Sequence, residues 1–597
     1  MDKTARAKPQ TPIWASALSW LALAAAAGGL HWGYAAGAAN RALILDHSAD
    51  AALYYRASQN YDFPLPVPLQ SFNYLFPDIG ATLGLSHLFG SPYAAIHAYA
   101  ALCLFVLAGG CWLLARRLGG MRAALFAPPA AGLMALLAAH PATEELFAVL
   151  FAASFRNGLM ALQPLLLYLS VSVLFAESGA KAKKYAAALG VILFFLHASF
   201  VLVKIWFAIP AAAGLILIYA CGVRPPRWKI FAGALIGAYL AAEILRAPLV
   251  GLFFESAALN QQAVIAKFNP QLVLIKMELM AIWASAAAAR HPLQAAVWIA
   301  FSGLCIWTAF CGLRRRASPE TPDGAQTFAA VFFLIAVAAG PAAAVISGRF
   351  DVWGRLEHFA NHRYFEPSIY WPLFLGWPAL LGFWLPRIFR RVFPNAKRAE
   401  YAAPVFAAAV LLLAAPLWRH LPEAENLRHY GATPFSQCIA RNAEKHNLKQ
   451  GIAAADLAVF LSSHAIFPDK PIPTAAVLNV IPYFKLIQQP LPAGAPPFQK
   501  NIDKHQPGLP GDIKPGEFNF IVINETDEIK LHASLPESPR CPHRLAHPEK
   551  CFDEGKYGWI GYHFITGETA AHYGEPASRF RCSGVDFYLY ENGFALE

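Results

Sequence analysis

Charge is what this sequence has least of. Of its 597 residues only 14% are Asp, Glu, Lys or Arg, while 57% are hydrophobic and the mean hydropathy is +0.40. A soluble domain carries about 25% charged residues, because its surface must face water. A wholly soluble protein is therefore excluded. Also missing is any basic stripe interleaved with aromatics, although the net charge is +11 and the pI ≈ 9.1. That absence removes nucleic acid as a partner. The basic residues lie instead in short clusters between apolar runs, as in a membrane protein. No internal repeat is visible. Residues 418–597 contain no nucleophile elbow, no Walker loop and no G-x-G-x-x-G.

What is present is a series of runs near the length of about 20 apolar residues that spans hydrocarbon. They occupy 13–38, 92–115, 123–139, 159–176, 185–202, 205–222, 230–253, 293–313, 327–347, 370–386 and 400–417. The first follows a basic start but exceeds the apolar core of about 7–15 residues found in a signal peptide, so it reads as an uncleaved span. One set of connections is basic: Lys3, Arg6 and Lys8; Arg116, Arg117 and Arg122; Lys181, Lys183 and Lys184; Arg224, Arg227 and Lys229; Arg314, Arg315 and Arg316; and Arg387, Arg390, Arg391, Lys397 and Arg398. Basic loops stay cytoplasmic. The N-terminus is then cytoplasmic and, with about eleven spans, the C-terminus lies outside.

The expected architecture is a polytopic α-helical membrane domain, 1–417, followed by an extracytoplasmic α/β or α+β domain, 418–597. Four outer segments, 39–91, 140–158, 254–292 and 348–369, are longer than simple turns. Long loops on one face of a scaffold commonly carry function, and amphipathic ones such as 254–292 can lie along the membrane surface. In the tail, 518–524 (FNFIVIN) and 586–593 (DFYLYENG) read as strands and 434–447 as an amphipathic helix. Of nine cysteines, Cys103, Cys111, Cys221, Cys305 and Cys311 lie in apolar segments, and Cys438, Cys541, Cys551 and Cys582 lie in the tail. The latter four suit disulfides in an oxidising compartment. Cys541 with Cys551 is the expected pair, since a short loop closes easily, and their spacing is not that of a zinc site.

The first outer segment opens with Asp46, His47 and Asp50, then Tyr54 and Arg56. Asp46, Asp50 and Tyr54, spaced by four, share one face if helical. Two carboxylates just after a span can act as a general base or hold a cation, or simply form a solvated face. In LEHFANHRYFEP, Arg363 stands at the mouth of a span with Tyr364 beside it. Its planar fork suits phosphate, and the alternative is an arginine snorkelling to the interface. His358 and His362 have the i, i+4 spacing of helical metal ligands but no evident third ligand. Lys204 is flanked by apolar sequence, with His197 seven positions earlier, and marks either a functional cation or the outer turn of a hairpin. Glu243 and Arg246, three apart, are placed to pair with one another. Arg156 is a further candidate for the outer face.

Taken together, the acidic pair Asp46 and Asp50 in the first outer loop, the RYFEP element at 363–367, and many spans followed by an outer domain resemble the GT-C superfamily of membrane glycosyltransferases. That superfamily includes protein O-mannosyltransferases, the lipid A aminoarabinose transferase and oligosaccharyltransferases. The chain departs from the adjacent Asp-Glu pair of the first two, because His47, Ser48 and Ala49 separate its carboxylates. The resemblance implies transfer of a sugar from a polyprenyl-phosphate-linked donor to a hydroxyl of a glycan, lipid or protein acceptor, at the outer face of the plasma (inner) membrane. Asp46 or Asp50 would be the base, and Arg363, with Lys204 and Tyr364, would hold the leaving phosphate. The resemblance names no certain cofactor, and a divalent metal is compatible with the site. An O-antigen ligase or polymerase would place its large outer loop between two spans. A transporter or flippase would need a polar path through the membrane.

Overall fold

The computed structural model describes residues 13–36, 75–90, 92–138, 157–200, 203–254, 292–314, 323–346 and 402–420, isolated positions between these, and the backbone of six strands. Ten α-helices occur among the described residues: α1 Ile13–Ala36, α2 Gly80–Phe89, α3 Pro92–Ala138, α4 Asn157–Leu174, α5 Gly179–Ser199, α6 Ile209–Ala220, α7 Trp228–Gly251, α8 Pro292–Leu313, α9 Gly324–Ile346 and α10 Ala402–Ala414. A π-turn, Lys204–Ala208, leads into α6. The stretches Ala98–Met121, Trp228–Gly251, Ala295–Leu313 and Gly324–Ala343 are long and apolar enough to cross a membrane, and shorter apolar helices accompany them. The chain is a helical membrane protein.

The helices coincide with the apolar runs within a few residues, with three informative differences. The runs 92–115 and 123–139 form one segment, α3, broken at Gly120, where φ is 77° and ψ is −170°. That backbone region is open to glycine and strained for other residues. The first outer segment is not all loop, because it contains α2 and the turn Leu75–Ile79 before it. The run 370–386 lies outside the described residues apart from two positions, one of which, Trp384, donates from its indole nitrogen to the Thr308 hydroxyl at 2.9 Å.

Helices in lipid gain little from the hydrophobic effect, since lipid tails are as apolar as leucine, so close packing through small residues must hold them together. The α3–α4 crossing meets this need. A side chain at Gly110 would come within 2.8 Å of the Leu165 backbone nitrogen. At the centre, α9 buries Phe328, Phe332 and Phe333 completely, against Phe207, Phe231 and Phe301. By contrast α7 turns Ile236, Leu240 and Ile244 outward, as a helix facing lipid does.

One end of the bundle is tied together by the basic connections. Arg117 donates from Nη2 to the Phe175 carbonyl at 2.9 Å, and the Arg227 amide donates to the Leu174 carbonyl at 3.3 Å. The Gln326 side-chain amide donates to the Leu118 carbonyl. Asp323 and Gln326 exchange side-chain and backbone bonds at 2.8 and 2.9 Å, a reciprocal cap that starts α9. These contacts bring Arg117 and Leu118, Leu174 and Phe175, Arg227, and the start of α9 at Asp323–Gln326 to one end, the grouping that the alternation of basic connections in sequence requires.

In the tail the six strands, β1 Ile452–Ala454, β2 Thr474–Val480, β3 Tyr483–Gln488, β4 Phe520–Glu525, β5 Ser578–Cys582 and β6 Val585–Glu591, form one sheet in the order β3-β2-β1-β4-β6-β5. β1 runs parallel to β2 and β4, and the other pairings are antiparallel. The two strands expected from sequence are β4 and β6, which are neighbours with Phe520 opposite Glu591. The helix expected at 434–447, and Cys438, Cys541 and Cys551, lie outside the described residues.

Candidate functional site

At the end of the bundle opposite the basic connections, the described structure centres on a residue with no motif around it. Asp78 lies in the turn before α2 and is buried, with 3% of its surface exposed. Its Oδ1 accepts a hydrogen bond from the Tyr99 hydroxyl at 2.6 Å and another from the Gly158 amide at 3.0 Å. Gly158 is in the first turn of α4, where backbone amides have no partner within the helix. Asp78 thus caps α4 from a distant segment, and its negative charge complements the helix dipole. A glycine is needed there: a Cβ at 158 would run into Pro77 and the Tyr99 hydroxyl. The Phe76 amide donates to Ser199 Oγ, at the last residue of α5, at 3.0 Å. Residues 75–79 therefore bind the first outer segment to the ends of three helices. With two donors on one oxygen and little exposure, Asp78 holds these segments together.

The second cluster at this end joins the π-turn, α5 and α7. Lys204 Nζ is 2.6 Å from Glu243 Oε1, with side-chain exposures of 29% and 41%. The same ammonium lies 4.6 Å from the centroid of the Tyr239 ring, within reach of the attraction between a cation and an aromatic face. His197 meets Tyr239 edge-on, with ring centroids 5.7 Å apart. His197 itself is buried, and neither ring nitrogen has a hydrogen-bond partner among the described residues. Glu243 is held by a lysine from a neighbouring element, not only by Arg246 on its own helix as the spacing predicted. The lysine contact depends on side-chain reach across elements, which spacing along one helix does not report.

Of the site residues expected from sequence, Lys204 is described. Asp46, His47, Asp50, Tyr54, Arg56, Arg156, His358, His362, Arg363 and Tyr364 lie outside the described residues. Sequence reading missed Asp78, Tyr99 and Tyr239. The one signal for Asp78 was an acid just ahead of the glycine that starts an apolar helix, and this is weak by itself. Among the described residues no group of three or more His, Cys, Asp or Glu side chains could hold a metal ion.

No family model, curated protein or solved structure matches this chain.

Proposed function

We propose that the protein is a membrane glycosyltransferase of the GT-C type, moving a sugar from a polyprenyl-phosphate-linked donor to an acceptor hydroxyl at the outer face of the plasma membrane. About eleven spans and an extracytoplasmic domain, 418–597, containing the six-stranded sheet complete this architecture. The supporting observation is the Asp78 tether. The segment that carries Asp46 and Asp50 runs into Asp78, which is bonded to the ends of α3 and α4, and Ser199, bonded beside it, is five positions before Lys204. Asp78, which follows Asp46 and Asp50 in the same outer segment of the sequence, and Lys204 share one end of the bundle, away from the basic connections.

In this reading Asp46 or Asp50 takes the acceptor's proton as its oxygen attacks the anomeric carbon. The sugar–phosphate bond breaks, and Arg363 and Tyr364 meet the charge that develops on the departing phosphate. The test is transfer of labelled sugar from a polyprenyl-phosphate donor by purified protein. The Asp46→Asn, Asp50→Asn double variant removes basicity with little change in size and should lose about 10²–10⁴-fold in rate. Full activity in that variant would overturn the assignment. Arg363→Lys keeps the charge but loses the bidentate fork, and should weaken donor use.

A further inference from the structure

The turn between α6 and α7, at the basic end, gathers three cations and two aromatic rings. α6 stops in a Schellman motif: the Val223 amide donates to the Ile218 carbonyl at 2.9 Å and the Gly222 amide to the Tyr219 carbonyl at 3.0 Å, with Gly222 at a φ of 87°. That reversal brings Arg224 back over the Tyr219 ring, 5.7 Å from its centroid. Across the turn Trp228 meets Tyr219 edge-on, with centroids 5.9 Å apart, and the Lys229 ammonium lies 5.7 Å from the Trp228 centroid. Both rings are exposed. Ile216, one turn before Tyr219 and 68% exposed, continues the same face along α6 toward the membrane interior.

Among the described residues nothing anionic answers these cations. No Asp or Glu occurs between Lys204 and Glu243 in the sequence. The ion pairs of the described residues join Lys181 to Glu177 and Lys204 to Glu243, and neither reaches Arg224, Arg227 or Lys229. Arg227 Nε is buried and has no hydrogen-bond partner among the described residues. Arg227 and Lys229 also stand at the start of α7, whose first turn holds no acid and no side-chain cap. The helix dipole is positive at that end, so these cations oppose it until an anion offsets them.

We propose that the α6–α7 turn is a binding site for an anionic phospholipid of the membrane surface at the basic end, held by its phosphate. A guanidinium stacked on a ring keeps its N–H edge free, and that edge matches two phosphate oxygens. Arg224 offers such an edge, and Arg227 and Lys229 add donors on the same turn. Phenol and indole rings sit at headgroup level in a bilayer, so the glycerol region lies against Tyr219 and Trp228 and an acyl chain runs down past Ile216. Charge selects the headgroup. The choline of a zwitterionic lipid meets three charges of its own sign, whereas a net negative headgroup is attracted by all three. No bond is made or broken. The site lies at the end opposite Asp78 and does not rest on the proposed sugar transfer.

The test is native mass spectrometry of the full-length protein released from detergent, titrated with phosphatidylglycerol and with phosphatidylcholine of the same acyl chains, reading the first lipid retained. The wild type should hold phosphatidylglycerol the more tightly. The Arg224→Gln, Lys229→Gln double variant should lose affinity for it by about fivefold for each cation removed. The control is Lys183→Gln, Lys184→Gln, which removes the same charge from exposed lysines of α5 at the same end and should leave the first binding event unchanged. If the double variant does not fold, Lys229→Gln alone should lose about fivefold, since the ammonium's only described contact is with the Trp228 ring. Equal affinity for the two lipids in the wild type overturns the proposal. So does unchanged affinity in the α6–α7 variants, or an equal loss in the control, which would mean diffuse attraction to the whole basic end.

Discussion

The two ends of the helix bundle solve the same problem, joining helices, with different chemistry. At the basic end, charged residues stand at the chain reversals, and backbone carbonyls accept the joining bonds, from the Arg117 guanidinium to Phe175 and from the Arg227 amide to Leu174. At the other end the joining is done by a buried carboxylate, Asp78, on Tyr99 and Gly158. Snorkelling arginines and lysines remain solvated and tolerate change. A buried acid with two donors does not, because removing it strands both. The comparison teaches that one end is joined through a single buried carboxylate and the other through several separate bonds, so that one substitution should disturb the first far more than the second.

The largest effect should follow from breaking that buried link. Asp78→Ala leaves the Tyr99 hydroxyl and the Gly158 amide without their acceptor, at about 1–3 kcal/mol for each stranded group. A marked fall in the melting temperature of the detergent-solubilised protein checks this. Tyr99→Phe removes one donor and should cost less, and in the Asp78→Ala background it should cost less still, since the hydroxyl is already stranded.

Gly158→Ala sharpens the same comparison. The added methyl group must displace Pro77 or Tyr99, an overpacking worth about 1–3 kcal/mol. An alanine substitution at Gly179, where a Cβ meets nothing within 4 Å, should leave the melting temperature unchanged in the same assay. At the basic end, Arg117→Ala removes one part-buried hydrogen bond to the Phe175 carbonyl, and should cost about 0.5–1.5 kcal/mol.

The smallest effect should come from the exposed pair Glu177 and Lys181, 2.6 Å apart on successive turns. The Lys181 ammonium, by hydrogen bond and charge, holds the Glu177 carboxyl below its ordinary value. Any stability it adds is therefore present above the ordinary carboxylate range and lost as pH falls through the lowered value. Both side chains are well exposed, so solvent screening reduces this contribution. Melting curves of Glu177→Gln should overlay those of the wild type at pH 7 and at pH 4.

These contrasts also show what could be read from sequence. Helix positions were legible because a run such as 293–313 has little alternative to a helix in lipid, and α8 spans Pro292–Leu313. The grouping of Arg117, Lys181, Arg224 and Arg314 at one end was legible from alternation alone. Strands β4 and β6 were legible from short apolar runs rich in β-branched and aromatic residues. Asp78 was not, since its importance comes from Tyr99 and Gly158, 21 and 80 positions away. Lys204 was singled out, but its contact with Glu243, 39 positions away, was not, because spacing reports neighbours on one helix and not across two.

The account rests on the two ends facing opposite sides of the membrane, with the basic end in the cytoplasm. A reporter active only outside the cytoplasm, fused after residue 316 at the basic end and after residue 420 beyond α10, tests this directly. The account predicts a silent fusion at 316 and an active one at 420. An active fusion at 316 would contradict it, and would place the Asp78 end, with Lys204 and Glu243, on the cytoplasmic side.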